Sequence, residues 1–223
     1  MRQALEKEKL RRVYNQVANH YDFQHAFFTG RSDQRGRRLV VDKAVHSGDR
    51  VLDCGAGTGS TALLAARKSG PSGRITLFDM SEDMMAVARE KMEAAGLLER
   101  AEFRIGDMID LPFEDGSFDV ALSTYSMCPL YDPAKGAAEL YRVVRPGGLI
   151  GIAHSTEPES PLVKWLADRV ENVVWHIPSI SLGCRTVSVL PTLEKLGGRV
   201  VFKASIGVPL WPFIVFVIEK PAT

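Results

Sequence analysis

The chain has 223 residues, 45% of them hydrophobic and 25% charged, with a formal net charge of +1. That length and apolar content suffice for one well-buried domain and are short for two, and the near-neutral balance gives no bulk electrostatic reason to bind nucleic acid. Three widely spaced cysteines, Cys54, Cys128 and Cys184, argue against a disulfide framework or a zinc knuckle and for a cytoplasmic setting.

The amino-terminal stretch from Met1 to Lys9 is a charged helix start without the apolar core of a signal peptide, and a helix is predicted near residues 3–18. A second helix is predicted near 34–45, where Arg31, Arg35, Arg37 and Arg38 read as a solvated basic face. A strand near 49–53 then runs into Asp53-Cys54-Gly55-Ala56-Gly57-Thr58-Gly59-Ser60, where three glycines at alternate positions allow a tight turn and close approach to a ligand. Cys54 is expected to point into the sheet. A helix follows near 60–68, with Ser60 or Thr61 placed to cap it. The next strand, near 74–78, ends in Asp79, where an acidic side chain in a βαβ unit would accept hydrogen bonds from ribose hydroxyls. The ligand is therefore read as adenosine-like. The loop is G-x-G-x-G rather than the dinucleotide G-x-G-x-x-G, and Asp53 before it would repel a pyrophosphate while suiting a cationic group.

Further helices are predicted near 82–95 and 134–144, and strands near 101–105, 118–123 and 148–153. This alternation predicts an open parallel sheet, whose ligands lie outside the carboxyl ends of the strands, and Asp53, Asp79, Asp107 and Ser123 fall at such ends. From Pro161 to Trp175, Leu162, Trp165, Leu166, Val170, Val173 and Val174 recur at helical spacing, so one face is expected to be buried or to cover something. A short helix ends at Gly197-Gly198, and apolar strands from Arg199 to Ala204 and from Phe213 to Glu219 suggest a hairpin at one edge. The apolar stretch Val208 to Ile218 is too short to span a bilayer and contains Pro209 and Pro212. His20, His25, His46 and His176 have no partner at metal-ligand spacing, so no metal is expected.

D-x-G-x-G-x-G after an apolar strand resembles the cofactor loop of class I S-adenosylmethionine-dependent methyltransferases. Ile105-Gly106-Asp107-Met108, the stretch from Leu111 to Val120, and the stretch from Leu140 to Gly148 are similar to that superfamily's later motifs, in the same order. The resemblance implies a Rossmann-like α/β fold: a seven-stranded, mostly parallel sheet with helices on both faces and an antiparallel carboxyl-terminal strand. It implies that Gly55, Ala56, Gly57, Thr58 and Gly59 pack on S-adenosyl-L-methionine, that Asp53 and Ser123 border it, and that Asp79 holds its ribose. Asp107 is implied to take the adenine amino group, and Met80, Met84 and Met108 to border the ring.

The segment Val13 to Asp22, with Phe23, Phe27, Phe28 and Gly30, is similar to the lid helix of the ubiquinone and menaquinone biosynthesis C-methyltransferases. By that resemblance Tyr21 contacts cofactor or acceptor, with Tyr14 and Tyr125 as further candidates. His154, at the carboxyl end of a strand, has the intrinsic pKa of a general base for a carbon acceptor. The expected organisation is a single methyltransferase domain over 1–223: lid helices to residue 45, a cofactor-binding core over 46–155, an acceptor-side insertion over 156–190, and a helix and hairpin over 191–223. The expected activity is methyl transfer to a small, apolar or aromatic acceptor, with quinone-like C-methylation favoured, no nucleic-acid partner, and peripheral membrane contact open for a lipophilic substrate. The alternatives are N- or O-methylation of a phospholipid or other small molecule, arsenite methylation if Cys128 and Cys184 meet in the pocket, and a non-catalytic cofactor-binding partner.

Overall fold

Short apolar runs separated by amphipathic stretches form strands and helices in the expected alternation. The computed structural model describes residues 4–158, 160–175, 182–209 and 211–222. His176, and the side chains of Phe27, Phe28, Val173 and Val174, lie outside what it describes. Three helices lead: α1 (Lys7–Val17), α2 (Tyr21–Thr29) and α3 (Ser32–Ala44). They are followed by β1 (Arg50–Cys54), α4 (Ser60–Ser69), β2 (Arg74–Asp79), α5 (Glu82–Ala94), β3 (Ala101–Ile105) and β4 (Phe118–Thr124). The chain continues through α6 (Pro133–Val143), β5 (Val144–Ser155), α7 (Pro161–Trp175), a short α8 (Leu190–Lys195), β6 (Arg199–Val208) and β7 (Trp211–Glu219).

The seven strands form one sheet in the order β3-β2-β1-β4-β5-β7-β6. The first five are parallel, with Val51 opposite both Ile75 and Val120, and β7 runs antiparallel to both β5 and β6. This is the Rossmann-like architecture expected. Strand alternation divides the core into two layers. On one face Val51, Leu77, Val120 and Val217 pack with Val40 and Ala44 of α3, Ala62 and Ala65 of α4, and Ala88 of α5. On the other, Leu52, Cys54, Phe78 and Ile152 pack with Ala137 and Leu140 of α6 and Leu193 of α8. Cys54 is thus a core residue, as anticipated.

Several boundaries differ from the sequence reading. The first helix starts at Lys7, and α2 is a separate element after the turn at residues 18–20. α4 is preceded by Gly59 in a left-handed conformation and has no side-chain cap, so neither Ser60 nor Thr61 serves as one. β6 extends to Val208 and β7 resumes at Trp211, which makes the hairpin connection much shorter than the gap between the apolar runs, because Gly207 and Pro212 pair within the ladder. On α7, Leu162, Trp165, Leu166 and Val170 are exposed, so of the two expectations for this face, burial or covering something, burial does not hold for these four. Among the described residues no helix is long and apolar enough to cross a membrane.

Gly151 in the middle of β5 shows how closely α3 lies on the sheet: an added Cβ would stand 2.6 Å from Val40 Cγ1 and 3.0 Å from Leu122 Cδ2. Gly151→Ala is expected to cost about 1–3 kcal/mol through overpacking. Denaturant unfolding checks this; a midpoint equal to that of the parent would show that α3 can shift without strain.

Candidate functional site

Strand order reverses between β1 and β4, so the connections leaving their carboxyl ends diverge and open a crevice. A cleft lies there. Its floor is the loop after β1. Gly55 has φ of 72°, and a Cβ on it would fall 2.2 Å from Ser126 Cβ, so both backbone shape and space require glycine. Gly57, with φ of 53°, faces open space at the cleft wall. Its N–H donates to Asp79 Oδ2 at 2.8 Å, while the Ser81 N–H donates to Oδ1 at 2.9 Å. Burial raises the Asp79 carboxyl above its ordinary value in spite of those amides. A carboxylate so placed retains lone pairs for two hydroxyl donors.

The amino-terminal helices roof the cleft with Leu10, Tyr14 and Tyr21. Polar ties hold the roof to several elements. The Ser81 hydroxyl donates to Asn15 Oδ1 at 2.5 Å, the Thr58 hydroxyl donates to Asp22 Oδ1 at 2.6 Å, and Asp22 also pairs with Lys91 of α5. The Tyr14 hydroxyl donates to the Leu182 carbonyl at 3.2 Å, and Lys7 reaches Asp107 at 2.8 Å. Against the effect of partial burial, Lys7 and the Tyr131 hydroxyl hold the Asp107 carboxyl below the usual range.

Arg37, only 5% exposed, forms part of the far wall with Thr124 and Tyr125. Its Nη1 donates to Thr61 Oγ1 at 2.9 Å and Thr124 Oγ1 at 2.8 Å, and the guanidinium lies 5.2 Å from the Tyr125 ring centroid. Its Nε, buried and without a hydrogen bond, is the atom that faces Asp33 Oδ2. Asp33 stands 3.8 Å from the guanidinium and 3.2 Å from His25, whose ring stacks on Tyr21. Burial would raise the Asp33 carboxyl, but His25 and Arg37 bring it down to about 2. Of the basic run, Arg31, Arg35 and Arg38 are exposed as expected, and Arg37 is the exception.

The cleft brings together Tyr21, Gly55, Ala56, Gly57, Thr58, Asp79, Met80, Met84 and Met108, with Tyr14 and Tyr125 beside them. Five other anticipated residues do not line it. Gly59 is the residue before α4, and its Cβ position is filled by Ala88 at 2.9 Å. Alternation along β1 turns Asp53 to the α3 and α4 side with Val51, fully buried, where it cannot meet a cationic ligand in the cleft. Ser123 is also fully buried and acts one residue removed: its hydroxyl lies 2.5 Å from that of Ser126, which lines the cleft. Asp107 is engaged by Lys7 and Tyr131, although its neighbours Gly106 and Met108 are in the wall. His154 points into the opposite layer, Nδ1 bonded to the Ser155 carbonyl at 2.8 Å and the ring edge-on to Phe216, and burial lowers its pKa. A general base must reach its proton, so this position does not support the role read for His154.

Arg37, Thr124, Ser126 and Leu130 are wall residues that motif reading missed, because they become neighbours only through the packing of α3 and the connection after β4. The Cys128 and Cys184 thiols do meet, in hydrogen-bonding contact, but neither lines the cleft. Among the described residues no group of three or more His, Cys, Asp or Glu could hold a metal.

Residues 45–186 match the family described as Methyltransferase domain. Over 160 residues the chain is 31% identical to the ubiquinone/menaquinone biosynthesis C-methyltransferase UbiE of Geotalea daltonii, covering 71% of this chain and 68% of that protein. The chain belongs to the S-adenosylmethionine-dependent methyltransferases. The methyltransferase is also 30% identical to the demethylmenaquinone methyltransferase of Staphylococcus aureus over 71% of its own length and 65% of that protein's. It therefore spans about two thirds of the length of these relatives. In fold it is similar to geranyl diphosphate methyltransferase in complex with SAM, with a TM-score of 0.68, 15% identity and coverage of 85% of each chain. It is equally similar to the cyclase SpnF, with a TM-score of 0.69, 21% identity and coverage of 85% and 81%.

Burial pushes the Asp53 carboxyl of this methyltransferase up to about 7, against the pull of Arg37. Below its ordinary value of 3.8 the group is protonated in both states; above that the unfolded chain releases a proton that the folded chain keeps until about 7. Its contribution to stability thus falls as pH rises through that window. Asp53→Asn should gain thermal stability relative to the parent at about pH 7.5 and little at about pH 4.5. An equal difference at both pH values in thermal melts would refute this assignment.

Proposed function

We propose that the cleft binds S-adenosyl-L-methionine at its glycine-loop end and a small aromatic acceptor carrying an ionisable hydroxyl at its Arg37 end, with quinone-like carbon methylation as the reaction. The observation that carries this reading is the pairing, in one apolar cleft, of a glycine cradle closed by a partly buried carboxylate with an aromatic wall containing one buried arginine. Within residues 1–45, α1 and α2 serve as the lid while α3 packs on the sheet; 46–155 serve as the cofactor-binding core, 156–190 as the acceptor side, and 191–223 as the closing helix and hairpin.

The residues fit the cofactor. Gly57 leaves room at the wall, and Asp79 offers acceptor lone pairs to ribose hydroxyls. Gly55 and Ala56 supply close backbone contact, while Met80, Met84 and Met108 give polarisable surface for a flat base. Asp107, held beside Gly106 and Met108, marks the adenine end. Bound there, the cofactor supplies a methyl group on a sulfonium, whose transfer is an in-line displacement. The protein's tasks are to align the acceptor and exclude water, and Tyr14, Tyr21 and Leu10 cover the site for the second.

Arg37 is held by two threonines through Nη1 and by Asp33 beside Nε, and its guanidinium, part of the cleft wall, supplies the positive charge for a phenolate oxygen. A phenolate delocalises charge onto ring carbon, and with its oxygen paired to Arg37 that carbon attacks the methyl group; the dienone so formed loses its ring proton to solvent and returns to the aromatic phenolate. The names of the relatives from Geotalea daltonii and Staphylococcus aureus support a quinone-like acceptor. The apolar strip on α7 suits transient contact with a membrane that holds a lipophilic acceptor.

Calorimetric titration tests the cofactor: S-adenosylmethionine and S-adenosylhomocysteine should bind and NAD should not. Asp79→Ala should weaken S-adenosylhomocysteine by at least about tenfold, the scale of a lost charge-assisted hydrogen bond; unchanged affinity would remove the ribose contact. With the protein loaded with S-adenosylhomocysteine, Arg37→Gln should weaken 1,4-naphthohydroquinone by about tenfold and leave the cofactor product's affinity alone. Equal binding of the hydroquinone to both proteins would remove Arg37 from acceptor recognition.

A further inference from the structure

Cys128 follows β4 and is 2% exposed, whereas Cys184 lies in the segment before α8 and is partly exposed. Their surroundings hold the two backbones together. The Arg185 N–H donates to the Cys128 carbonyl at 3.3 Å, and the Arg185 guanidinium donates to the Leu130 carbonyl at 2.8 Å and 3.2 Å. Ser155 approaches Cys128 Sγ from β5, with its N–H at 3.3 Å and its hydroxyl at 3.1 Å, that hydroxyl also lying 3.3 Å from the Arg185 carbonyl. The two thiols complete the cluster by hydrogen bonding to one another.

These donors favour a thiolate. The Cys184 thiol foremost, then Ser155, hold Cys128 below the ordinary thiol value although burial opposes them. Cys54 is the internal contrast: fully buried in the core, its thiol is pushed well above the ordinary value. The Cys184 segment is also attached to both sides of the cleft, since Leu182 accepts from Tyr14 of the lid and Arg185 holds Leu130 in the wall.

We propose that Cys128 and Cys184 are a modification site, closing to a reversible disulfide with a hydroperoxide as oxidant and so clamping the lid-bearing segment to the cleft wall. The proton shared by the pair moves onto Cys128 sulfur, so that the more accessible sulfur, Cys184, attacks the peroxide as the thiolate, and the departing peroxide oxygen then takes that proton and returns Cys128 to the thiolate. The O–O bond breaks, an alcohol or water leaves, and Cys184 becomes a sulfenic acid. The Cys128 thiolate then attacks Cys184 sulfur, the S–O bond breaks, and hydroxide leaves and takes a proton from solvent. Two electrons pass from the two sulfurs to the peroxide, and an external thiol reverses the step.

The test is hydrogen peroxide treatment of the full chain, followed by non-reducing digestion and mass spectrometry. A Cys128–Cys184 peptide pair two hydrogens lighter than the reduced peptides is expected, restored by dithiothreitol, with Cys54 still free. Absence of that pair, or over-oxidation of either cysteine in its place, overturns the proposal. The clamp rests on the proposed function and has its own readout: association of S-adenosylhomocysteine should slow about tenfold after oxidation and be insensitive to peroxide in Cys184→Ser. A disulfide that forms without slowing association removes the clamp. Failure of the reduced protein to bind S-adenosylhomocysteine at all would overturn the cofactor reading and, with it, the clamp, while the mass measurement decides the disulfide on its own.

Discussion

The hydrogen bond from the Gly57 amide to Asp79 joins the loop after β1 to the end of β2, and the shape of the cleft follows from it. A loop with left-handed glycines has many alternative conformations, and a partly buried carboxylate needs donors. Each remedies the other's deficit, and Ser81 completes the arrangement by giving its amide to Asp79 while its hydroxyl caps α5 and reaches Asn15 in the lid. One short polar chain therefore sets the floor, one helix and part of the roof. Gly55, pressed against Ser126, fixes the same loop to the connection after β4 from the other side.

What was legible in the sequence is what depends on short-range spacing. Gly55, Gly57 and Asp79 follow from a strand, a tight turn and the next strand, and Met80 and Met84 follow from their position just beyond. Asp53 shows where this stops. Its proximity to the loop is visible, but the face it occupies is set by the pleat, which turns it under Arg37 and away from the cleft. Arg37 is the complementary case. In a run of four arginines nothing local separates it from its exposed neighbours; its partners Thr61 and Thr124 are 24 and 87 residues away and become partners only when α3 packs on the sheet. His154 had the right residue type at a strand end, and alternation along β5 carried it into the layer of Phe216.

The fold by itself leaves the chemistry open. The cyclase SpnF and geranyl diphosphate methyltransferase are almost equally similar to this chain in structure, so the sheet is a frame on which different reactions are built. Family membership rests on sequence over most of the core, and under the proposed function the acceptor is met by less regular parts, where Tyr21, Arg37, Tyr125 and Leu130 come from three separate stretches, α2, α3 and the connection after β4.

The lid is one continuous stretch of chain that contributes Leu10 and Tyr14 from α1 and Tyr21 from α2 to the same cleft. Whatever free energy is needed to order that stretch is spent by the first ligand that closes it and is then saved by the second. Under the proposed function this makes cofactor and acceptor thermodynamically cooperative without direct contact between them, and the linkage is reciprocal: each tightens the other by the same factor.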